Sequence, residues 1–316
     1  MPIALAAAKE WNSQPFGDPH AVHDFADVKS ALSNFIPDAL RQDIDLLKRN
    51  SPKASVAAVC RVLNNCLKNK EALSVLFHGK MNDPNNEADG LRQQLRHYIG
   101  LAVNAASTML AQGMPPHILD AWSISQLLTG IRGLQEARPF GNDAAFGRDL
   151  DRLAKELMAI LSNGSVFTRP WKGKDFATVL LDLQALHLAG QASLIDPQAF
   201  LDALENNLRT EPQSGWSGRH YANSLDALTG LIALAPQAFG SEKGLTIVKL
   251  MVAKMTAELT ENPYNTFFPL DCWQALRALT QLRKAGVDAG VDWTGAVQAL
   301  AARVAALGGD GTWDQR

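Results

Sequence analysis

Two linkers in this chain interleave basic and aromatic side chains: Arg169, Trp171, Lys172 and Lys174 in the first, Trp216 and Arg219 in the second. Positive charge beside an indole grips phosphate and stacks a base, so these six residues form the candidate binding set. Other chemistry-bearing groups are sparse. His20-Ala-Val-His23-Asp24 brings two imidazoles and a carboxylate together, but no Cys or further His stands nearby to complete a metal shell. Asp83, Asn85, Glu87 and Asp89 have the spacing of calcium-loop oxygens. The loop would need glycine where Ala88 stands and a bidentate Glu where Gln94 stands. The remaining histidines are scattered, and His187, beside Leu186, reads as a packed helix histidine. No Ser or Cys sits in a nucleophile elbow, and the Gly-Lys pairs at 79–80 and 173–174 lack a P-loop frame. The expectation is a non-enzymatic chain with no catalytic residues, no cofactor and no metal.

The charge balance speaks against a polyanion partner. Lys+Arg 30 against Asp+Glu 32 leaves a net charge of −2, with acidic residues dispersed among the basic ones. Phosphate binding needs a concentrated basic stripe. Three cysteines, Cys60, Cys66 and Cys272, fall on apolar helical positions and read as buried thiols in a reducing compartment rather than a disulfide scaffold. The opening MPIALAAAKE has no basic region and too short an apolar run for a signal peptide. No stretch approaches the roughly 18 apolar residues that span a bilayer, so a soluble chain without membrane insertion is expected.

What positions these residues is helix throughout. Apolar residues recur at spacings of three and four, and the 15 prolines fall at the edges of the periodic segments. Residues 1–36, rich in Pro, Gly and Asn around 11–25, read as a loose leader, and 79–90 as a polar loop. Between them and beyond, one pattern returns: an apolar anchor followed by others at +4, +7 and +10. The four sets are Ile124/Leu128/Ile131/Leu134, Phe176/Leu180/Leu183/Leu186, Tyr221/Leu225/Leu228/Leu231 and Cys272/Leu276/Leu279/Leu282. Val56/Cys60/Leu63/Cys66 is an earlier, weaker copy.

Ser123, Asp175, His220 and Asp271 precede the anchors, and Ser123, Asp175 and Asp271 are expected as N-caps. Five residues before each anchor stands a large apolar plug, Leu119, Trp171, Trp216 or Phe267, expected to seal the gap between helix pairs. A second amphipathic helix follows each anchored one, at about 91–111, 147–161, 197–209, 244–260 and 293–307. Two-helix units about 45–52 residues apart are the signature of tandem helical repeats. The predicted fold is therefore all-α: an α-solenoid of about five repeats over 37–307, after the leader. Residues 308–316 begin a further linker, in which Trp313 and Arg316 overlay Trp216 and Arg219. The chain is thus expected to stop one step before another helix and to self-associate through that end.

The segment Tyr221-Ala-Asn-Ser-Leu-Asp-Ala-Leu-Thr-Gly-Leu231, with its relatives at 124–134, 176–186 and 272–282, resembles the helical core of the SKWP-repeat type III effectors of plant-pathogenic bacteria, which carry HEAT/armadillo-like units. It is similar, more weakly, to the octotricopeptide RNA-binding repeats. The first resemblance implies a virulence protein that binds a partner protein, present in the bacterial cytoplasm or secreted without a Sec signal into a host cell. The second implies a modular RNA-binding protein. Gly308-Gly-Asp-Gly-Thr-Trp313 resembles one turn of the α/α-toroid cyclases, which would imply a helical enzyme, although the acidic initiator motif of those enzymes is missing.

Overall fold

In a computed structural model the chain is all-α, with 84% of the described residues helical. The structure describes residues 22–33, 52–111, 119–137, 144–168, 171–188, 197–210, 215–262, 265–287 and 290–309. The chain divides into two compact units, residues 1–118 with 129–153, and residues 119–128 with 154–316.

The first unit opens with strand β1 (Val22–Asp24) and helix α1 (Phe25–Ala31), inside the segment expected to be a loose leader. Phe25, Val28 and Leu32 are buried, at a spacing that gives one apolar face. Asp24 caps the helix by accepting from the Ala26 amide at 2.9 Å. Helices α2 (Pro52–Lys68) and α3 (Lys70–His78) follow, then strand β2 (Lys80–Asn82), which pairs in parallel with β1, and the long α4 (Glu87–Ala111). The weaker anchor copy Val56, Cys60, Leu63 and Cys66 is buried on α2, which packs on α4. Burial pushes the Cys66 thiol far up, as expected of an inert core cysteine.

The polar loop expected at 79–90 is shorter. Asp83 accepts from the Ala88 amide at 2.7 Å and starts α4 a turn early. A carboxylate considered for calcium is therefore committed to a helix start, and that bond is the main reason its pKa lies below the usual value. Among the described residues no group of three His, Cys, Asp or Glu could hold a metal; His20 lies outside them.

Helices α5 (Ala121–Ala137) and α6 (Ala144–Asn163) contribute residues to both units. The second unit continues through a 3-10 turn (Ser165–Thr168) to α7 (Gly173–Leu188), α8 (Gln198–Thr210), α9 (Gly218–Leu234), the single turn α10 (Pro236–Phe239), α11 (Glu242–Glu261), α12 (Pro269–Lys284) and α13 (Trp293–Gly309). Here α7, α9 and α12 lie side by side in one row; α8, α11 and α13 form a second row. The rows meet where α9 packs on α11 and α12 on α13. All 16 anchors are buried except Leu276, which is half-buried. Deleting such a core Leu costs roughly 2–5 kcal/mol. Among the described residues no helix is long and apolar enough to cross a membrane.

Candidate functional site

The candidate residues sit where helices begin, and one local device builds each of those starts. The backbone carbonyls of Asp120, Lys172, Ser217 and Phe268 accept from the amides of the anchors Ile124, Phe176, Tyr221 and Cys272 at 3.0–3.3 Å. The cap is therefore four residues before the anchor. Ser123, Asp175 and Asp271, expected at the cap itself, occupy the third helical position instead. From there Asp175 reaches back to the Lys172 amide at 3.0 Å and Asp271 to the Phe268 amide at 3.0 Å. His220 does the same with an imidazole: its Nδ1 accepts from the Ser217 amide at 3.1 Å, while Ser217 Oγ accepts from the His220 amide. Only the Ser217–His220 pair is a reciprocal capping box; Lys172 and Phe268 have no side-chain acceptor, so α7 and α12 make the return bond alone. At α5 the roles shift, and Asp120 Oδ1 accepts from both the amide and the hydroxyl of Ser123.

The plug residue then stands just outside the cap and the anchor at the fourth helical position, the spacing of a hydrophobic staple. Trp171 meets Phe176 with ring centroids 5.2 Å apart, and Trp216 stacks on Tyr221 at 5.1 Å. Trp216 and Phe267 also touch the preceding start. A Cβ on Gly173 would lie 2.6 Å from the Trp216 indole, and one on Gly218 2.6 Å from the Phe267 ring. Glycine at the first helical position is what lets the next plug seat. From the second row, Asn207 Nδ2 donates to the Trp171 carbonyl at 2.7 Å, and Arg303 Nε donates to the Phe267 carbonyl at 3.1 Å, the same offset of 36 residues.

The candidate binding set therefore splits. Trp171 and Trp216 are 3% and 5% exposed, and their indole N–H groups are spent on the Val166 carbonyl and on Asn207 Oδ1. They are seals between helix starts and present no face to a nucleobase, which corrects their place in the set. Lys172, Lys174 and Arg219 are exposed around these starts, and Arg169 lies outside the described residues.

Two features escaped the sequence reading. At the start of α12, Phe268, Leu270 and Trp273 are 48%, 54% and 53% exposed. Arg277 lies over the Trp273 ring at 5.0 Å and is held by Asp226 of α9. The available signal was that these three apolar residues fall off the anchor stripe. The second is a cleft of about 590 Å³ lined by Gly215, Trp216, Ser217, His220, Glu258, Glu261, Asn262 and Thr266. It lies between the start of α9, the end of α11 and the strand of chain entering α12.

Electrostatics in the cleft run one way. Its lining carries two carboxylates and no Lys or Arg. Glu258 is 5% exposed; among the described residues it takes one hydrogen bond, from Asn262 Nδ2 at 2.7 Å, and no ion pair. Burial, with Arg219 and Lys174 adding repulsion, holds His220 below the usual histidine value, so the ring is neutral at neutral pH. Because Nδ1 accepts from Ser217, the neutral ring carries its proton on Nε2. Burial, reinforced by Glu258, pushes the Tyr221 phenol well above its ordinary value. Compared with family models, with curated proteins and with solved structures, the chain finds a match in none of the three.

Proposed function

We propose that the chain is a non-enzymatic helical-repeat scaffold whose second unit docks a partner protein at the start of α12. On this reading the paired rows α7/α8, α9/α11 and α12/α13 are successive solenoid repeats, whose shared return bond to the cap and staple are the repeated parts, with a glycine seat in α7 and α9. The observation that carries the partner is the exposed Phe268, Leu270 and Trp273 group beside buried plugs. A cluster of half-exposed large apolar side chains is unusual on a monomer surface and typical of interfaces, where Trp and Arg dominate binding energy. Arg277, pinned by Asp226 against Trp273, gives that surface a preorganised polar edge. The resemblance to SKWP-repeat effectors fits a scaffold of this kind.

The RNA reading rests on Lys172, Lys174 and Arg219, exposed at neighbouring helix starts. It loses its stacking platform to the burial of both indoles.

A photo-crosslinking side chain placed at Trp273 in the full chain, with Glu242 as an exposed control, separates the two. The scaffold reading expects a protein adduct at 273, absent at 242 and insensitive to nuclease. A nuclease-sensitive adduct, or equal yield at both sites, overturns it.

A further inference from the structure

We infer that the helix starts of α7, α9 and α12 form one docking rim for an extended segment of a partner protein, in which an apolar side chain is followed at three-residue steps by carboxylates. This rests on the scaffold reading for its apolar end and names the chemistry of that partner.

The rim is continuous because each start touches the next. The Trp216 plug of α9 seats on Gly173 of α7, and the Phe267 plug of α12 seats on Gly218 of α9. The Gly218 amide also donates to Thr266 Oγ1, in the chain entering α12, at 3.0 Å. Three parallel helices thus present equivalent outward positions side by side. At the second helical position these are Lys174, Arg219 and Leu270, all exposed.

Charge along the rim has one sign. Lys172, Lys174 and Arg219 are exposed, and among the described residues none of the three side chains makes a hydrogen bond or an ion pair. No exposed carboxylate stands at the cap or in the first turn of any of these starts. Asp175 and Asp271 are buried and accept from the cap amides. Glu258 and Glu261, in the neighbouring cleft, belong to α11 of the second row. At the α12 end Arg277 is held by Asp226, so the apolar group beside it carries no free charge. A ligand complementary to this order is apolar at one end and anionic along the rest.

Spacing then selects the backbone. Packed helix axes lie about 8–10 Å apart, so equivalent positions on successive starts repeat at that step. A polyproline II segment turns once every three residues and rises about 3.1 Å per residue, which brings a side chain back to the same face about every 9 Å. A β-strand does so every second residue, at about 6.6–6.8 Å, and falls out of step with the rim.

The test uses the full chain labelled with 5-fluorotryptophan, whose seven indoles are followed by fluorine NMR at low salt, with Trp273 assigned from Trp273→Phe. The probe is the peptide Leu-Pro-Pro-Glu-Pro-Pro-Glu, in which proline holds the polyproline twist, together with its reversed sequence. The controls replace both Glu by Gln, or move them out of register as Leu-Glu-Glu-Pro-Pro-Pro-Pro. The inference expects a saturable shift of Trp273 with the probe in one of its two directions, and affinity at least fivefold weaker for both controls. Lys174→Ala combined with Arg219→Ala should lower probe affinity at least fivefold and leave that of the glutamine peptide unchanged. Absence of a saturable shift, an equal response to either control, or unchanged probe binding in the double variant overturns it. So does tighter binding of an oligouridylate, which would assign the rim to nucleic acid, or a Trp273 shift on dilution without peptide, which would assign it to a second copy of the chain. If the double variant loses its helical circular dichroism, the glutamine comparison on the unmodified chain decides. Failure here leaves a protein adduct at Trp273 standing, so the two readings fail separately.

Discussion

The starts of α7 and α9 and the start of α12 are built by the same inward residues and differ in every outward one. Inward, each has a plug, a residue that bonds back to the cap and an anchor: Trp171, Asp175 and Phe176; Trp216, His220 and Tyr221; Phe267, Asp271 and Cys272. All of these are buried except His220, which is half-buried. Outward, the cap and second helical positions carry Lys172 and Lys174 in α7, Ser217 and Arg219 in α9, but Phe268 and Leu270 in α12. The fifth position is a buried Ala177 or Ala222 in the first two and an exposed Trp273 in the third. One backbone device thus presents a basic rim twice and an apolar patch once. Burial constrains the inward set and leaves the outward set free to vary.

The sharpest way to break this division is to remove one tryptophan from each side of it. Trp216→Ala deletes a buried indole, its stack on Tyr221 and its bond to Asn207, and should cost about 3–5 kcal/mol in denaturant unfolding. Trp273→Ala, on a residue more than half exposed, should stay within about 0.5 kcal/mol. Comparable losses would mean that Trp273 belongs to the core and that the apolar patch is no docking surface.

Next in size is the glycine seat. Gly218→Ala places a methyl 2.6 Å from the Phe267 ring, and overpacking of that kind costs about 1–3 kcal/mol. Gly90, inside α4 with nothing within 4 Å of its would-be Cβ, gives the opposite sign. Gly90→Ala should gain about 0.5–1 kcal/mol, the ordinary helix preference for Ala. Thermal unfolding of the two variants beside the unmodified chain checks both. Smaller again is the return bond. Asp175→Ala frees the Lys172 amide and should cost about 0.5–2 kcal/mol, with Asp175→Asn recovering part of it.

The inward set was largely legible in the sequence because burial imposes a period. The anchors, the plugs and the second helices follow from apolar spacing alone, and only Leu276 departs from its stripe. The caps were placed three residues late, because a residue that bonds back to the cap from the third helical position has the same composition as a cap. The plug-to-anchor spacing of five was the clue, being the spacing of a staple. Helix α1 was missed because Phe25, Val28 and Leu32 lie in a Pro- and Gly-rich stretch, where three apolar residues make a weak pattern. The cleft was not legible at all. His220 and Glu258 stand 38 residues apart, and nothing local announces that the end of α11 meets the start of α9.

The smallest effect distinguishes starts whose geometry is otherwise alike. His220 and Asp271 make the same third-position return bond, one with an imidazole and one with a carboxylate, and they couple to protons with opposite sign. Burial first, then Arg219 and Lys174 against the weaker pull of Asp175, keep the folded His220 below the ordinary 6.5. The unfolded chain therefore takes up the proton first. Stability from His220 is complete above pH 6.5 and is lost as pH falls through the window below it. Protonating Nδ1 also removes the acceptor of the Ser217 amide. Burial raises Asp271 above 3.8 despite the Phe268 amide and Arg219. There the folded chain holds the proton more tightly, and its contribution declines as pH rises through the window above 3.8. Unfolding free energies from pH 3.5 to 8, with His220→Gln and Asp271→Asn beside the unmodified chain, should show the differences tilting in opposite directions in those two windows. Parallel curves for His220→Gln would mean that its ring is no part of the helix start, and that the cleft wall it forms is free to move.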